Sequence, residues 1–232
     1  MDYSANKPLV VALGNSLLSY SVTHKPWLGA DVRWQRIVIP GRGWSDHEKL
    51  IPRLKEARPE LVIIQSGLFG IRRGEQSTDF SVIGFKSALS KWLIVLLQNV
   101  FLAESSSCDY REVDRGRVRA ENVRVKLLRN LAVGYGQPGP VLSSDALDFL
   151  VTLQDLSGSL VVIHLPRSSS LSLAAGEEWL DRLRSELAGL DIDLVEVGGS
   201  LPENMYMDGS HVNPKGREVR QRQLRKLVRD RL

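Results

Sequence analysis

Five short apolar runs, each stopped by a breaker, limit what this chain can fold into. They occupy residues 9–13, 36–39, 61–64, 160–165 and 194–197, and they end at Gly14, Pro40-Gly41, Ser66-Gly67, Pro166 and Gly198-Gly199. Each is rich in β-branched residues and too short for a helix, the pattern of strands buried on both faces of a sheet. Helical patterns lie between them. This alternation predicts an open, mainly parallel α/β sheet whose functional site lies at the carboxyl ends of the strands. At 232 residues and 43% hydrophobic composition, the chain is long enough to bury one sizeable core.

Helix punctuation is consistent with this alternation. Ser45-Asp-His-Glu48 has the form of a capping box opening a helix with apolar positions at Leu50, Ile51, Leu54 and Ala57, and Pro52 should kink that helix or delay its start. Near the other end, Asn213 is placed to cap a final helix with Pro214 at its first position. Residues 80–103 carry apolar side chains at three- and four-residue steps and read as a core helix. Lys91, Gln98 and Asn99 interrupt that stretch well short of the ~20 residues a membrane span needs.

Residues 104–145 read as a helical insertion ending in the turn-rich Gly134-Tyr-Gly-Gln-Pro-Gly-Pro140. With that insertion included, the chain is expected to form one domain over 1–232. One cysteine, Cys108, excludes an internal disulfide framework. With no secretory leader at the N-terminus, a cytoplasmic location is the default expectation.

Charge is concentrated at one end. Residues 215–232 hold eight Lys or Arg against two Asp or Glu, while the whole chain carries +4. That run reads as a basic amphipathic helix with Val219, Leu224, Leu227 and Val228 packed inward. No aromatic interleaving accompanies the charge, so the sequence carries no nucleic-acid signature. Scattered histidines (His24, His47, His164) without paired carboxylates or further cysteines give no metal-ligand pattern.

Two segments carry chemistry. Leu13-Gly14-Asn15-Ser16-Leu17 places a serine just after the first strand, and Asp208-Gly-Ser-His211 places a carboxylate three positions before an imidazole, just before the final helix. A hydrolytic serine needs a base for its proton and an acid to orient that base. With these motifs the chain resembles the SGNH/GDSL hydrolase superfamily of esterases and lipases, with a degenerate third block.

The resemblance implies a three-layer α/β/α fold with a flavodoxin-like sheet. It also implies Ser16 as nucleophile, His211 as general base and Asp208 as its orienting acid, with no metal or cofactor. Asn15 stands where the family usually has Asp. Gly43, in Pro40-Gly-Arg-Gly-Trp-Ser45, matches the second block, whose glycine N–H joins that of Ser16 in binding an oxyanion; Gly41 is an alternative register.

The third block departs from the pattern. After Leu61-Val-Ile-Ile-Gln65 the chain reads Ser66-Gly-Leu-Phe69-Gly70, so Phe69 takes the slot of an oxyanion-donating amide. Losing such a donor typically costs roughly 3–4 kcal/mol of transition-state stabilisation. Gln65, Ser66 or Arg72 could supply a replacement, and Trp44, His47, Gln65, Ser66 and Phe69 are candidate pocket residues.

The implied activity is hydrolysis of a small-molecule or glycan acyl ester, with acyl transfer or a catalytically weakened scaffold as alternatives. Ser16, Gly43, Phe69 and the Asp208/His211 loop should converge on one rim of the sheet.

Overall fold

The computed structural model describes residues 7–23, 27–39, 43–70, 140–169, 171, 178–199 and 201–232. The chain divides into two compact units, Met1–Ile71 with Val118–Leu232, and Arg72–Arg117; every described residue belongs to the first. The apolar helix expected over 80–103, Cys108, His24, Gly41, Arg72 and nearly all of the expected insertion lie outside the described residues. The insertion's expected end at 145 overlaps a helix that opens at Ser144 and packs in the core.

Five strands form one sheet: β1 (Leu9–Gly14), β2 (Arg33–Val38), β3 (Leu61–Gln65), β4 (Ser159–His164) and β5 (Asp193–Glu196). All pairings are parallel, in the order β2-β1-β3-β4-β5. β1 and β3 are buried at every position because helices cover both faces. Alternate residues feed the two sides. Val11, Leu13, Val62 and Ile64 meet α3 (Ile51–Ala57), α4 (Ser144–Leu156) and α5 (Glu178–Ala188) through Leu54, Phe149, Leu153, Leu183 and Leu187. Val10, Ala12, Ile63 and Ile163 meet α1 (Ser16–Ser21) and α6 (Pro214–Arg231) through Leu17, Leu18, Leu224 and Val228. The result is the expected three-layer α/β/α architecture. Among the described residues no helix is long and apolar enough to cross a membrane.

The helix after β2 departs from the capping-box reading. It begins two residues earlier, as α2 (Trp44–His47), with extended Gly43 rather than Ser45 at its N-cap and no side-chain cap. A 3-10 turn over Glu48–Leu50 follows, and only then α3, with Pro52 in its first turn. Proline lacks the N–H a continuous helix would need there, so the segment is broken and restarted. At the final helix the Asn213 side chain does accept the Gly216 N–H, at 3.1 Å.

Strand order reverses direction on either side of β1 and β3, and open α/β sheets hold ligands in the crevice beyond the carboxyl ends at such a point. Ser16 follows β1 and Ser66 follows β3.

Candidate active site

The turn carrying Ser16 is shaped by glycine and two amide side chains. A Cβ at Gly14 would lie 2.6 Å from Leu18 Cβ and 2.9 Å from Gln65 Oε1, so only glycine permits α1 to fold back this closely over β1. Asn15 caps α1, its Oδ1 accepting the Leu17 N–H at 3.0 Å. Its own N–H donates to Gln65 Oε1 at 3.0 Å, which ties the turn to β3. Ser16 is therefore presented at the first position of a helix whose approach is fixed from below.

His211 comes from a loop that is braced across its base. Met207 N–H donates to His211 O at 2.8 Å, Asn213 N–H donates to Met205 O at 2.9 Å, and Tyr206 bridges antiparallel to Val212. Gly209 sits inside at φ +82°, a left-handed conformation that other residues rarely adopt, and a Cβ there would meet Leu171 Cδ1 at 2.7 Å. Asp208 Oδ1 accepts the backbone N–H groups of Ser210 (2.9 Å) and His211 (2.8 Å), leaving Oδ2 aimed at the ring.

Three side chains then meet across 195 positions of sequence. His211 Nδ1 lies 2.7 Å from Asp208 Oδ2, and His211 Nε2 lies 3.0 Å from Ser16 Oγ. With the Nδ1 proton donated to the carboxylate, Nε2 presents its lone pair to the serine hydroxyl. Burial pushes the Asp208 carboxyl up, but the bond and charge of His211, with the N–H groups of His211 and Ser210, outweigh it and hold the group below its usual value. Asp208 is thus ionised at neutral pH, as an acceptor for Nδ1–H must be. The Tyr20 ring packs on the imidazole at 4.5 Å.

Gly43 lies beyond the end of β2, on the same rim. His47, fully buried, spans from its carbonyl to that of Gly14, with Nδ1 3.2 Å from Gly43 O and Nε2 3.2 Å from Gly14 O. Burial lowers its pKa, so the ring is neutral at pH 7 and donates to one of the two carbonyls at a time. Among the described residues, the backbone N–H groups of Ser16 and Gly43 make no hydrogen bond.

The remaining predicted site residues are all buried. Trp44 packs on Phe149 at 5.7 Å and, with Phe69, belongs to the core cluster on the α3–α5 side. Ser66 Oγ lies 3.0 Å from His164 Nδ1. His164 is pushed down to about 4, first by burial and then by the charges of Arg167, Arg220 and Arg184. Gln65 Nε2 is buried with no hydrogen-bond partner among the described residues.

Some features were missed from sequence. The roles of Gln65 beneath Asn15 and of His47 between two carbonyls depend on strand order, which has no local signature. One signal was present: Gly216, Arg220, Leu224 and Val228 recur every four residues, and all four are buried. An arginine on an apolar stripe marks a cation that binds protein rather than solvent.

Among the described residues no cluster of three or more His, Cys, Asp or Glu is placed to hold a metal. A surface cleft bordered by Arg58, Glu60, Asp155 and Gly158 opens at the amino ends of β3 and β4, the rim opposite Ser16.

No protein-family model and no curated protein matches the sequence. Among solved structures, the chain is similar to TesA at 15% identity and TM-score 0.46, covering 97% of this chain and 99% of that one. It is similar to the acetyl xylan esterase Est2A of Butyrivibrio proteoclasticus at 11% identity and TM-score 0.42, covering 96% of this chain and 64% of that one. It is also similar to a family two carbohydrate esterase from Cellvibrio japonicus, at 12% identity and TM-score 0.42, covering 97% of this chain and 61% of that one. The chain thus spans less than two thirds of those two esterases.

Proposed function

We propose that this chain is a serine ester hydrolase with Ser16 as nucleophile, His211 as general base and Asp208 as the residue that orients the base. The observation that carries this reading is the unbroken hydrogen-bond chain from Ser16 Oγ through His211 to Asp208, at the rim where the strand order reverses. Helix caps and core packing need no such relay.

In the proposed reaction His211 Nε2 takes the Ser16 proton as Oγ attacks the ester carbonyl. The Ser16 and Gly43 N–H groups donate to the oxyanion. Collapse of the tetrahedral intermediate expels the alcohol, which leaves with the proton held on His211, and an acyl-serine remains. Water then repeats the sequence, giving its proton to His211, and the acid departs as Ser16 regains its proton. The substrate class is an acyl ester, of a carbohydrate or another small metabolite. An alcohol in place of water would make the same acyl-enzyme a transferase.

Hydrolysis of p-nitrophenyl acetate by wild type, Ser16→Ala and His211→Ala tests the reading. Loss of a nucleophile or base from such a unit removes on the order of 10⁶ in kcat, so each variant should keep far less than about 0.1% of wild-type turnover. Equal turnover by wild type and Ser16→Ala would refute it. Phe69 supports a second reading, a catalytically weakened binding protein, because its buried ring stands where an amide donor is expected. A wild type that neither turns over ester nor labels with a fluorophosphonate would favour that alternative.

A further inference from the structure

Helix α1 has only six residues, far fewer than the roughly 12–15 at which an isolated helix becomes even marginal in water. Its position must therefore be set by tertiary contacts: Asn15 ties its start to Gln65, and arginines hold its carboxyl end. Arg36 of β2 donates through Nη1 to Ser19 O at 2.8 Å and also to Val22 O. Arg217 of α6 donates through Nε to Tyr20 O at 3.0 Å. Arg220 of α6, fully buried, donates to Ser21 Oγ at 2.8 Å, while that hydroxyl donates back to Leu17 O at 2.7 Å. Arg220 also reaches Pro166 O, beyond the end of β4. Carbonyls that the end of a helix leaves unpaired, here those of Ser19 and Tyr20, and that of the C-cap Val22 are thus held by arginines.

The geometry links these contacts to the site. Ser16 stands at one end of α1 and the arginines hold the other. Six residues span about 9 Å, so a change of about 6° in the helix axis displaces one end relative to the other by about 1 Å. Displacements of that size cost on the order of 10² in rate. Two of the three arginines sit on the helix that begins directly after the His211 loop, so α6 is anchored both to the base and to the helix bearing the nucleophile. Arg217 acts on both partners, because the residue whose carbonyl it holds, Tyr20, packs its ring on His211.

We propose that Arg36, Arg217 and Arg220 are positioning residues that fix Ser16 Oγ against His211 Nε2 by gripping the carboxyl end of α1. The inference rests on the proposed ester-hydrolase reading, and its test separates the two. Arg217 is the residue to vary, because it is only half-buried and Lys can still reach Tyr20 O, whereas Met matches the length without a donor. Arg217→Met should lower kcat for p-nitrophenyl acetate by about 10-fold or more with KM within about twofold, and Arg217→Lys should restore most of it.

The His211 side-chain ¹⁵N spectrum reads the contact without turnover: Arg217→Met should move toward the Ser16→Ala spectrum and Arg217→Lys should stay with wild type. A wild type that hydrolyses ester while Arg217→Met keeps both its kcat and its His211 spectrum would overturn the positioning role alone. Loss of activity in Arg217→Met only in step with loss of folded protein by circular dichroism would also overturn it. An inactive wild type whose His211 spectrum responds as described would overturn the hydrolase reading and leave the positioning role standing.

Discussion

Asp208→Asn isolates orientation of the base from every other property of the site. Asp208 Oδ1 accepts two backbone N–H groups and Oδ2 accepts the ring, so an asparagine can keep the first two bonds and hold the loop. What changes is the third contact, where an amide NH₂ would face Nδ1. That nitrogen must then accept, the ring proton moves to Nε2, and the nitrogen 3.0 Å from Ser16 Oγ can no longer take a proton. Wrong-tautomer substitutions of this kind lower kcat by about 10⁴, or about 5.5 kcal/mol of barrier.

Folding should suffer far less. The native Asp208 carboxyl is held below its usual value, so its stabilisation is present above the unfolded value near 3.8 and disappears as pH falls through the folded one. Asn forgoes that modest contribution at neutral pH but leaves the fold intact. Steady-state p-nitrophenyl acetate kinetics at pH 8, beside a urea melt, would measure both. An Asp208→Asn protein that keeps more than about 10% of wild-type kcat would refute the proposed role of the carboxylate.

Two further outcomes follow from buried groups near the rim. His164 titrates near 4 when folded and near 6.5 when unfolded, so between those values the unfolded chain binds more protons and stability falls as pH falls. The loss should approach about 1.4 kcal/mol per pH unit and at most about 3 kcal/mol by pH 4. His164→Gln should flatten that limb in urea melts at pH 7, 5.5 and 4.5, and identical slopes in the two proteins would contradict the assignment. Phe69→Asn, which restores an amide at the degenerate third block, should lower stability by about 3–5 kcal/mol without raising kcat, because Phe69 is only 5% exposed and lies in the main core. A faster enzyme of unchanged melting temperature would show that the position faces the substrate.

Much of the fold was legible because its signal is local. A central strand covered on both faces must be apolar where both faces are packed, so 61–64 and 160–163 announce themselves. β2 is different. It lies at a sheet edge, and its first residues Arg33, Trp34 and Gln35 alternate between exposed and half-buried, so the sequence shows only its apolar second half. Ser45 has the residue type of a cap, but the chain already turns into α2 at Gly43, with His47 binding the Gly43 carbonyl.

At the site, Ser16, Asp208 and His211 stand out because their motifs are compact and adjoin a strand end or a helix start. Their supports do not stand out. Gln65 reaches Asn15 only because β3 lies beside β1, and Arg217, unlike Arg220 on its apolar stripe, reads as part of a solvated basic face until α1 is laid beneath it.

The most direct test of the central claim is the site of covalent modification. Incubation with a fluorophosphonate, followed by proteolysis and tandem mass spectrometry, should place one phosphonyl adduct on Ser16. Labelling should be lost in His211→Ala and sharply slowed in Asp208→Asn. An adduct on another serine, or Ser16 left unmodified in an enzyme that still hydrolyses ester, would contradict the assignment of Ser16 as nucleophile.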